Sequence, residues 1–268
     1  MNQSFAIFYG FIQGLTEFLP VSSSGHLAIV PFFFELKDPG VIFDLMMHLG
    51  TALAVILYFR KEVMDLIKQT IQLIFKRNTK DTVFVQNFIA ATASSFILIL
   101  LIKKLAFEYG RSPTLIAINL FVFGALMYIA DRKKSEGIDL TKSIDFKRSI
   151  IIGLTQSFAV FPGVSRSGIT LTSSRFLGLG RVEASRFSFL LSLPVIIGSV
   201  VFKLPDVIKG EATYVGFDIM LIGIVSSFVF GLITIHFFLK LIANLGLGLF
   251  FVYRAILAVV LLYLIFSV

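Results

Sequence analysis

An all-α protein crossing a membrane several times is the fold class this sequence predicts, and three observations predict it. Hydrophobic residues make up 57% of the chain and charged residues 15%, whereas soluble domains run at about a quarter charged. The mean hydropathy is +0.92. The apolar residues also cluster in runs close to the roughly 20 needed to span a hydrocarbon core. Length alone would allow one or two domains, but the apolar excess assigns residues 1–268 to a single integral membrane domain.

The elements follow in order. Segments 84–102, 215–239 and 247–267 meet the spanning length plainly; 41–59, 114–130 and 187–203 are slightly shorter. That gives about six full transmembrane helices. Four pieces, at 4–19, 26–36, 149–161 and 167–179, are too short or too interrupted to span. They come as two pairs, each flanking a Ser/Gly/Pro-rich break. Short, broken segments in matching positions of two halves point to a site near the bilayer midplane.

The breaks resemble each other. One reads "GLTEFLPVSSSG" and the other "GLTQSFAVFPGVSRSG". Both open Gly-Leu-Thr followed by Glu17 or Gln156, and both close Val-Ser-x-Ser-Gly. An internal duplication is expected, with repeats at about 1–131 and 149–268. Each half holds two short and three long pieces. If the short pair re-enters, three pieces cross; if every piece spans, five do. Either number is odd, so the halves run in opposite senses, as an inverted-topology repeat with two re-entrant or broken helix pairs.

Charge sets the orientation. Loops near 60–83, 131–148, 175–186 and 240–246 fall on one side and carry 16 Lys and Arg; those on the other side carry 6. The positive-inside rule makes the first set cytoplasmic and puts both termini outside. The loop "RKEVMDLIKQTIQLIFKRNTKD" is basic and amphipathic, and should lie on the cytoplasmic headgroups. Arg175, Arg181 and Arg186 mark the same interface. The net charge of +8 is explained by loops facing anionic lipid, and no nucleic acid partner is expected. The chain has no cysteine, so no disulfide framework exists and redox compartment is unreadable. The start "MNQSFAIFYG" lacks a basic n-region, so no cleavable signal is expected. The 31 phenylalanines read as packing and lipid-facing bulk.

Ionisable groups at membrane depth are expensive and need a reason. Gln13 and Glu17 are spaced i, i+4, on one helix face, ahead of Pro20, which ends that helix. Ser22, Ser23 and Ser24 form the loop, Gly25 the turn, and His26 opens the next helix, whose free N–H groups favour an anion. The second break adds Ser165, Ser167, Thr170 and Arg166, a guanidinium suited to phosphate oxygens. One break therefore binds phosphate, and the other holds a cation and moves protons. Ser24, Ser173 and Ser174 are read as backbone-bonding serines, and His236 as a packing or interfacial residue. His48 and Asp44 stand between the two readings.

These residues carry a resemblance. "QGLTEFLPVSSSGHL" and "FPGVSRSGIT" are similar to the two signatures of the undecaprenyl-diphosphate phosphatase, or bacitracin-resistance protein, family, and the likeness extends to "FDLMMHLGTALAV" and "FSFLLSLPV". The resemblance implies hydrolysis of the terminal phosphate of undecaprenyl diphosphate, recycling the lipid carrier of cell-wall glycan synthesis, with bacitracin resistance as a consequence. It implies a divalent cation, Mg²⁺ or Ca²⁺, on Glu17 and Gln13, the latter a position where many members carry Glu. It implies catalytic His26, Glu17, Ser23 and Arg166. Ser22, Ser165, Ser167, Thr170, Gln13 and His48 would contact substrate. The setting implied is the bacterial cytoplasmic membrane, with the site open to the outer face and room for a homodimer. Direct attack by His26, or its action as a base on Ser23 or water, both stay open. The competing class is a polyprenyl-phosphate or anion transporter, because inverted repeats also build carriers. A carrier needs anion contacts but no proton-transfer residue, so Glu17 with His26 favours the enzyme.

Overall fold

Helix starts follow local chemistry. Asn2 caps α1 (Gln3–Thr16), its side chain accepting from the Phe5 N–H at 2.9 Å. Ser112 caps α6 (Pro113–Asp131), with the proline in the first turn, where its missing N–H costs nothing. Asp145 caps α7 (Phe146–Gln156) by accepting from the Arg148 N–H at 2.7 Å. Between and beyond them lie α2 (Ser23–Phe33), α3 (Val41–Tyr58), α4 (Arg60–Ile74), α5 (Val83–Tyr109), α8 (Arg166–Phe176), α9 (Arg181–Ile208), α10 (Phe217–Ile242) and α11 (Gly248–Ser267). The computed structural model describes residues 2–33, 39–75, 82–109, 112–137, 144–208 and 215–267.

Six of these helices, α3, α5, α6, α9, α10 and α11, are long and apolar enough to cross a membrane. The four short helices α1, α2, α7 and α8 are the pieces flanking the two breaks. The chain is an all-helical, multi-pass membrane protein. At Phe59 the chain leaves α3 and enters α4, none of whose residues is buried. Met64, Ile67, Ile71 and Ile74 lie on one exposed stripe of α4, the amphipathic pattern expected of the basic loop; residues 76–81 of that loop lie outside the described residues. A cavity of about 420 Å³ runs between α4 and α5 and is walled mostly by apolar side chains such as Leu66, Phe88 and Pro194. Among the described residues its only polar side chains, Thr70 and Thr92, donate to carbonyls of their own helices, and no charged group faces it.

The short helices are held by partners distant in sequence. α1 packs on α10, and α7 packs on α5. Gly10 and Gly14 make the first contact possible: a Cβ on Gly14 would lie 2.8 Å from the Phe230 Cβ, so only small residues let the two backbones approach. At the far end of α6, Asp131 accepts two hydrogen bonds from Arg181, at 2.7 and 2.8 Å, and one from the Leu247 N–H at 2.9 Å. Arg175 is buried inside the protein, 4% exposed. It donates to the carbonyls of Leu179, Asp131 and Lys133. Burial became affordable because the turns around it leave carbonyls without helical partners.

Candidate active site

The two breaks fold into the same turn. Ser22 has φ 75° and Ser165 φ 74°, and each occupies the first serine of a Val-Ser-x-Ser-Gly stretch. The Ser22 Oγ accepts from the Gly25 N–H at 3.3 Å; the Ser165 Oγ accepts from the Gly168 N–H at 3.1 Å. Each also lies 3.3 Å from the hydroxyl of the serine two residues on, Ser24 or Ser167. The left-handed residue is therefore the serine, and the helix begins at Ser23, three residues earlier than the expected start at His26. A serine tolerates this backbone because its hydroxyl caps the helix it opens. Gly25 and Gly168 serve close packing instead: a Cβ on Gly168 would lie 3.0 Å from the Ser165 Cβ and 3.1 Å from the Arg254 guanidinium.

At the meeting point of the breaks lies Glu17, 6% exposed. Its Oε2 accepts from Gln13 Nε2 at 2.9 Å and from Ser23 Oγ at 2.6 Å. Its Oε1 accepts from Arg166 Nη2 at 2.5 Å. The His48 Nε2 is 3.4 Å from Oε2, aimed there because His48 Nδ1 donates to the Asp44 carbonyl at 2.8 Å. Glu17, Gln13, Ser23, Arg166 and His48 thus form one network drawn from both breaks and α3. A carboxylate this deeply buried is tolerated only with such partners.

The remaining candidates sit around that network. Ser167 Oγ donates to the Leu19 carbonyl at 3.2 Å, tying the second break to the first. Thr170 turns to its own helix, donating to the Arg166 carbonyl at 2.7 Å, and meets Ser188 Oγ at 2.5 Å. Among the serines read as structural, Ser173 does donate to the Ile169 and Thr170 carbonyls. His26 stands apart from Glu17: its Nδ1 donates to the Ser22 carbonyl at 2.8 Å, and its Nε2 lies 2.6 Å from the Tyr253 hydroxyl. A small cavity of about 10 Å³ opens beside Glu17 and Arg166, lined also by Ser167, Ser188 and Ser192. It has room for about one water.

Two site residues escaped sequence reasoning. Arg254 in α11 is fully buried. It donates to five carbonyls: Leu120 at 2.9 Å, Pro20 at 3.2 Å, Asn119 at 3.2 Å, Gly163 at 2.8 Å and Val164 at 3.2 Å. It pins both breaks to α6, and Asn119 reinforces it by donating to the Pro162 carbonyl at 2.9 Å. The signal was present: Arg254 is the single charged residue inside the apolar run 247–267, and such a residue at membrane depth marks a site by default. Tyr253, its neighbour, had no comparable signal, since an aromatic residue in a spanning helix is ordinary.

The donor set admits a divalent cation. Gln13 Oε1 is buried without a hydrogen-bond partner, next to the Glu17 carboxylate. Among the described residues no group of three or more His, Cys, Asp or Glu could hold a metal alone. One carboxylate plus an amide oxygen suits an ion that completes its shell with substrate phosphates.

The profile of the family described as bacitracin resistance protein BacA matches residues 6–260. The chain is similar to the undecaprenyl-diphosphatase of Pelotomaculum thermopropionicum, 40% identical over 251 residues that cover 94% of this chain and 92% of the relative. It is similar to that of Marinobacter nauticus, 39% identical over 256 residues, covering 94% and 95%. It is also similar to that of Gemmatimonas aurantiaca, 40% identical over 258 residues, with 95% of each chain covered. Breaks, buried carboxylate and whole-length similarity agree, and the chain belongs to the bacitracin resistance protein BacA family.

Proposed function

We propose that this protein hydrolyses undecaprenyl diphosphate to undecaprenyl phosphate and inorganic phosphate, as the names of its relatives say of them. The product is the lipid carrier reused in cell-wall glycan synthesis, and a supply of it confers resistance to bacitracin. The observation that carries the reading is the chain Ser23–Glu17–Arg166, a hydroxyl, a carboxylate and a guanidinium in contact across the two breaks.

That chain supports Ser23 as the nucleophile. Its hydroxyl proton already points at Glu17, the arrangement of a nucleophile with its general base. When the diphosphate enters, Arg166 passes from Glu17 to the phosphate oxygens and frees the carboxylate. Ser23 Oγ then attacks the terminal phosphorus, its proton goes to Glu17, the anhydride P–O bond breaks, and the lipid monophosphate leaves. Water next attacks the phosphoserine, His26 taking its proton through Nε2, while the Ser23 Oγ–P bond breaks, Glu17 returns its proton to Ser23 Oγ and inorganic phosphate leaves. The N-termini of α2 and α8 supply N–H groups toward the charge that develops. Glu17 and Gln13 would hold Mg²⁺ or Ca²⁺, which neutralises phosphate charge when bound. Ser167 lines the small cavity beside Arg166, while Ser22, Ser165 and Thr170 brace the turns around it and His48 braces the carboxylate. A carrier would have no use for a hydroxyl aimed at a buried carboxylate, so the transporter reading is second.

Purified protein given a polyprenyl diphosphate is expected to release phosphate, and chelator to stop it. Arg166→Ala should raise KM and lower kcat, because the contact strengthens as charge develops. His26→Ala should abolish release yet leave lipid diphosphate binding largely intact. Phosphate-free movement of the lipid across vesicles, with no hydrolysis by the parent, would instead establish the carrier.

We place the protein in the bacterial cytoplasmic membrane, with two inverted repeats, both termini outside and the site reached from the outer face. The matched turns at Ser22 and Ser165 and the loop charges support this. A cysteine at Asn2 should react with an impermeant thiol reagent in intact cells, and one at Asn78, which lies outside the described residues, should not. The opposite labelling pattern would reverse the orientation. A homodimer is compatible with the lipid-facing surface of α11.

A further inference from the structure

We propose that Tyr253 is a positioning residue for this reaction: its hydroxyl holds the imidazole of His26 at Nε2 and so sets where that nitrogen points. The proposal rests on the catalytic reading of His26 given above. The Ser22 carbonyl can only accept, so the 2.8 Å contact puts a proton on His26 Nδ1. In the neutral ring the lone pair is then on Nε2, and any proton His26 takes must arrive there. The Tyr253 hydroxyl is 2.6 Å from that atom. The two ring planes are parallel to within 5°, with centroids 5.7 Å apart.

His26 needs such a hold. It is on the first turn of a short helix and is only partly buried, so packing alone does not fix its ring. One hydrogen bond, to Ser22, leaves the ring free to swing about that contact. A second, at the opposite nitrogen, fixes the plane. Tyr253 can supply it because the residue beside it is immobile. Arg254 is locked to carbonyls of both breaks, and a step of about 100° around the helix turns Tyr253 from that lock toward α2. The position of Nε2 is thereby referenced to the same two turns that carry Glu17 and Arg166. A hydroxyl both donates and accepts. Tyr253 donates to the Nε2 lone pair in the resting protein, turns aside as water presents its proton there, and accepts from Nε2–H afterwards, so the ring is held before and after the proton transfer. At 45% exposure, Tyr253 can also yield space to an arriving phosphate.

The test uses Tyr253→Phe, which keeps the aromatic ring and loses only the hydroxyl. In nanodiscs with ¹⁵N-histidine, three histidines give few resonances, and His26 is assigned by its loss in His26→Gln. Tyr253→Phe is expected to shift the His26 Nε2 resonance toward that of a free lone pair and leave His48 and His236 in place. Turnover of polyprenyl diphosphate should show kcat lower by roughly 2- to 10-fold, the worth of one hydrogen bond, with KM nearly unchanged. In the His26→Gln background, Tyr253→Phe should have no further effect. An unmoved resonance, or parental kcat despite a moved one, overturns the proposal. A His26→Gln variant that hydrolyses at the parent rate sinks the catalytic reading of His26 itself, whereas an inactive His26→Gln beside a fully active Tyr253→Phe sinks this proposal alone.

Discussion

Glu17→Gln is expected to lower polyprenyl-diphosphate turnover by about 10³-fold or more while the protein remains folded. The substitution keeps the size of the side chain and one oxygen, so Gln13 and Ser23 retain an acceptor. It removes the negative charge that faces Arg166 at 2.5 Å, the base aimed at the Ser23 hydroxyl, and the sole carboxylate in either break able to hold a cation. Loss of a general base alone costs typically 10² to 10⁴, and lost phosphate neutralisation adds to it. Phosphate release in saturating Mg²⁺ or Ca²⁺, alongside thermal unfolding in detergent, separates loss of chemistry from loss of fold. Turnover within a few fold of the parent would remove Glu17 from the mechanism.

Arg254→Met should damage the protein more broadly. Methionine fills much of the same volume but has no donor, and it leaves five buried carbonyls from α6 and both breaks without that partner. Each buried acceptor left unsatisfied costs about 1–3 kcal/mol, and relaxation of the turns recovers part of it. A net loss on the order of 3 kcal/mol is expected, because the stranded carbonyls outweigh the relief of burying a charge. The readouts are a clearly lower unfolding temperature and near-complete loss of turnover. Arg254→Lys should recover only a fraction of both, because an ammonium has three donors on a flexible stem and a guanidinium five in a fixed fork. If Arg254→Met unfolds at the parent temperature with turnover intact, the breaks are held by their own turns and Arg254 is dispensable.

The legible part of this protein was set by lipid. Runs of roughly 20 apolar residues must become helices in a bilayer, because no water is there to satisfy the backbone. That rule alone identifies α3, α5, α6, α9, α10 and α11 in the sequence. The same rule makes Glu17 and Arg166 conspicuous, since a charge at membrane depth demands a reason. Matching Gly-Leu-Thr and Val-Ser-x-Ser-Gly stretches singled out both breaks, and the turns at Ser22 and Ser165 share one backbone geometry. Local details were less legible. Sequence reasoning gave the tight turn to Gly25, because glycine is the usual left-handed residue; Ser22 and Ser165 took it, since a hydroxyl that caps its own helix offsets the strain.

Tertiary structure decided who touches whom. Composition shows that Glu17 and Arg166 are both ionisable, but not that they pair across 149 residues of chain. It shows His26 and Ser23 three residues apart, but not that Ser23 faces Glu17 while His26 faces Tyr253. Spacing along a chain determines neighbours only within one helix, as for Gln13 and Glu17, where the period of 3.6 residues does the work. Contacts between helices depend on which faces pack, and here they depend on glycines that let α1 approach α10 and on an arginine in the last helix that reaches both breaks. Burial in hydrocarbon is a property each residue carries alone, so the sequence by itself determined the spanning helices and the polar breaks. The pairing of buried polar groups is a property of geometry, so only the fold could assemble the site.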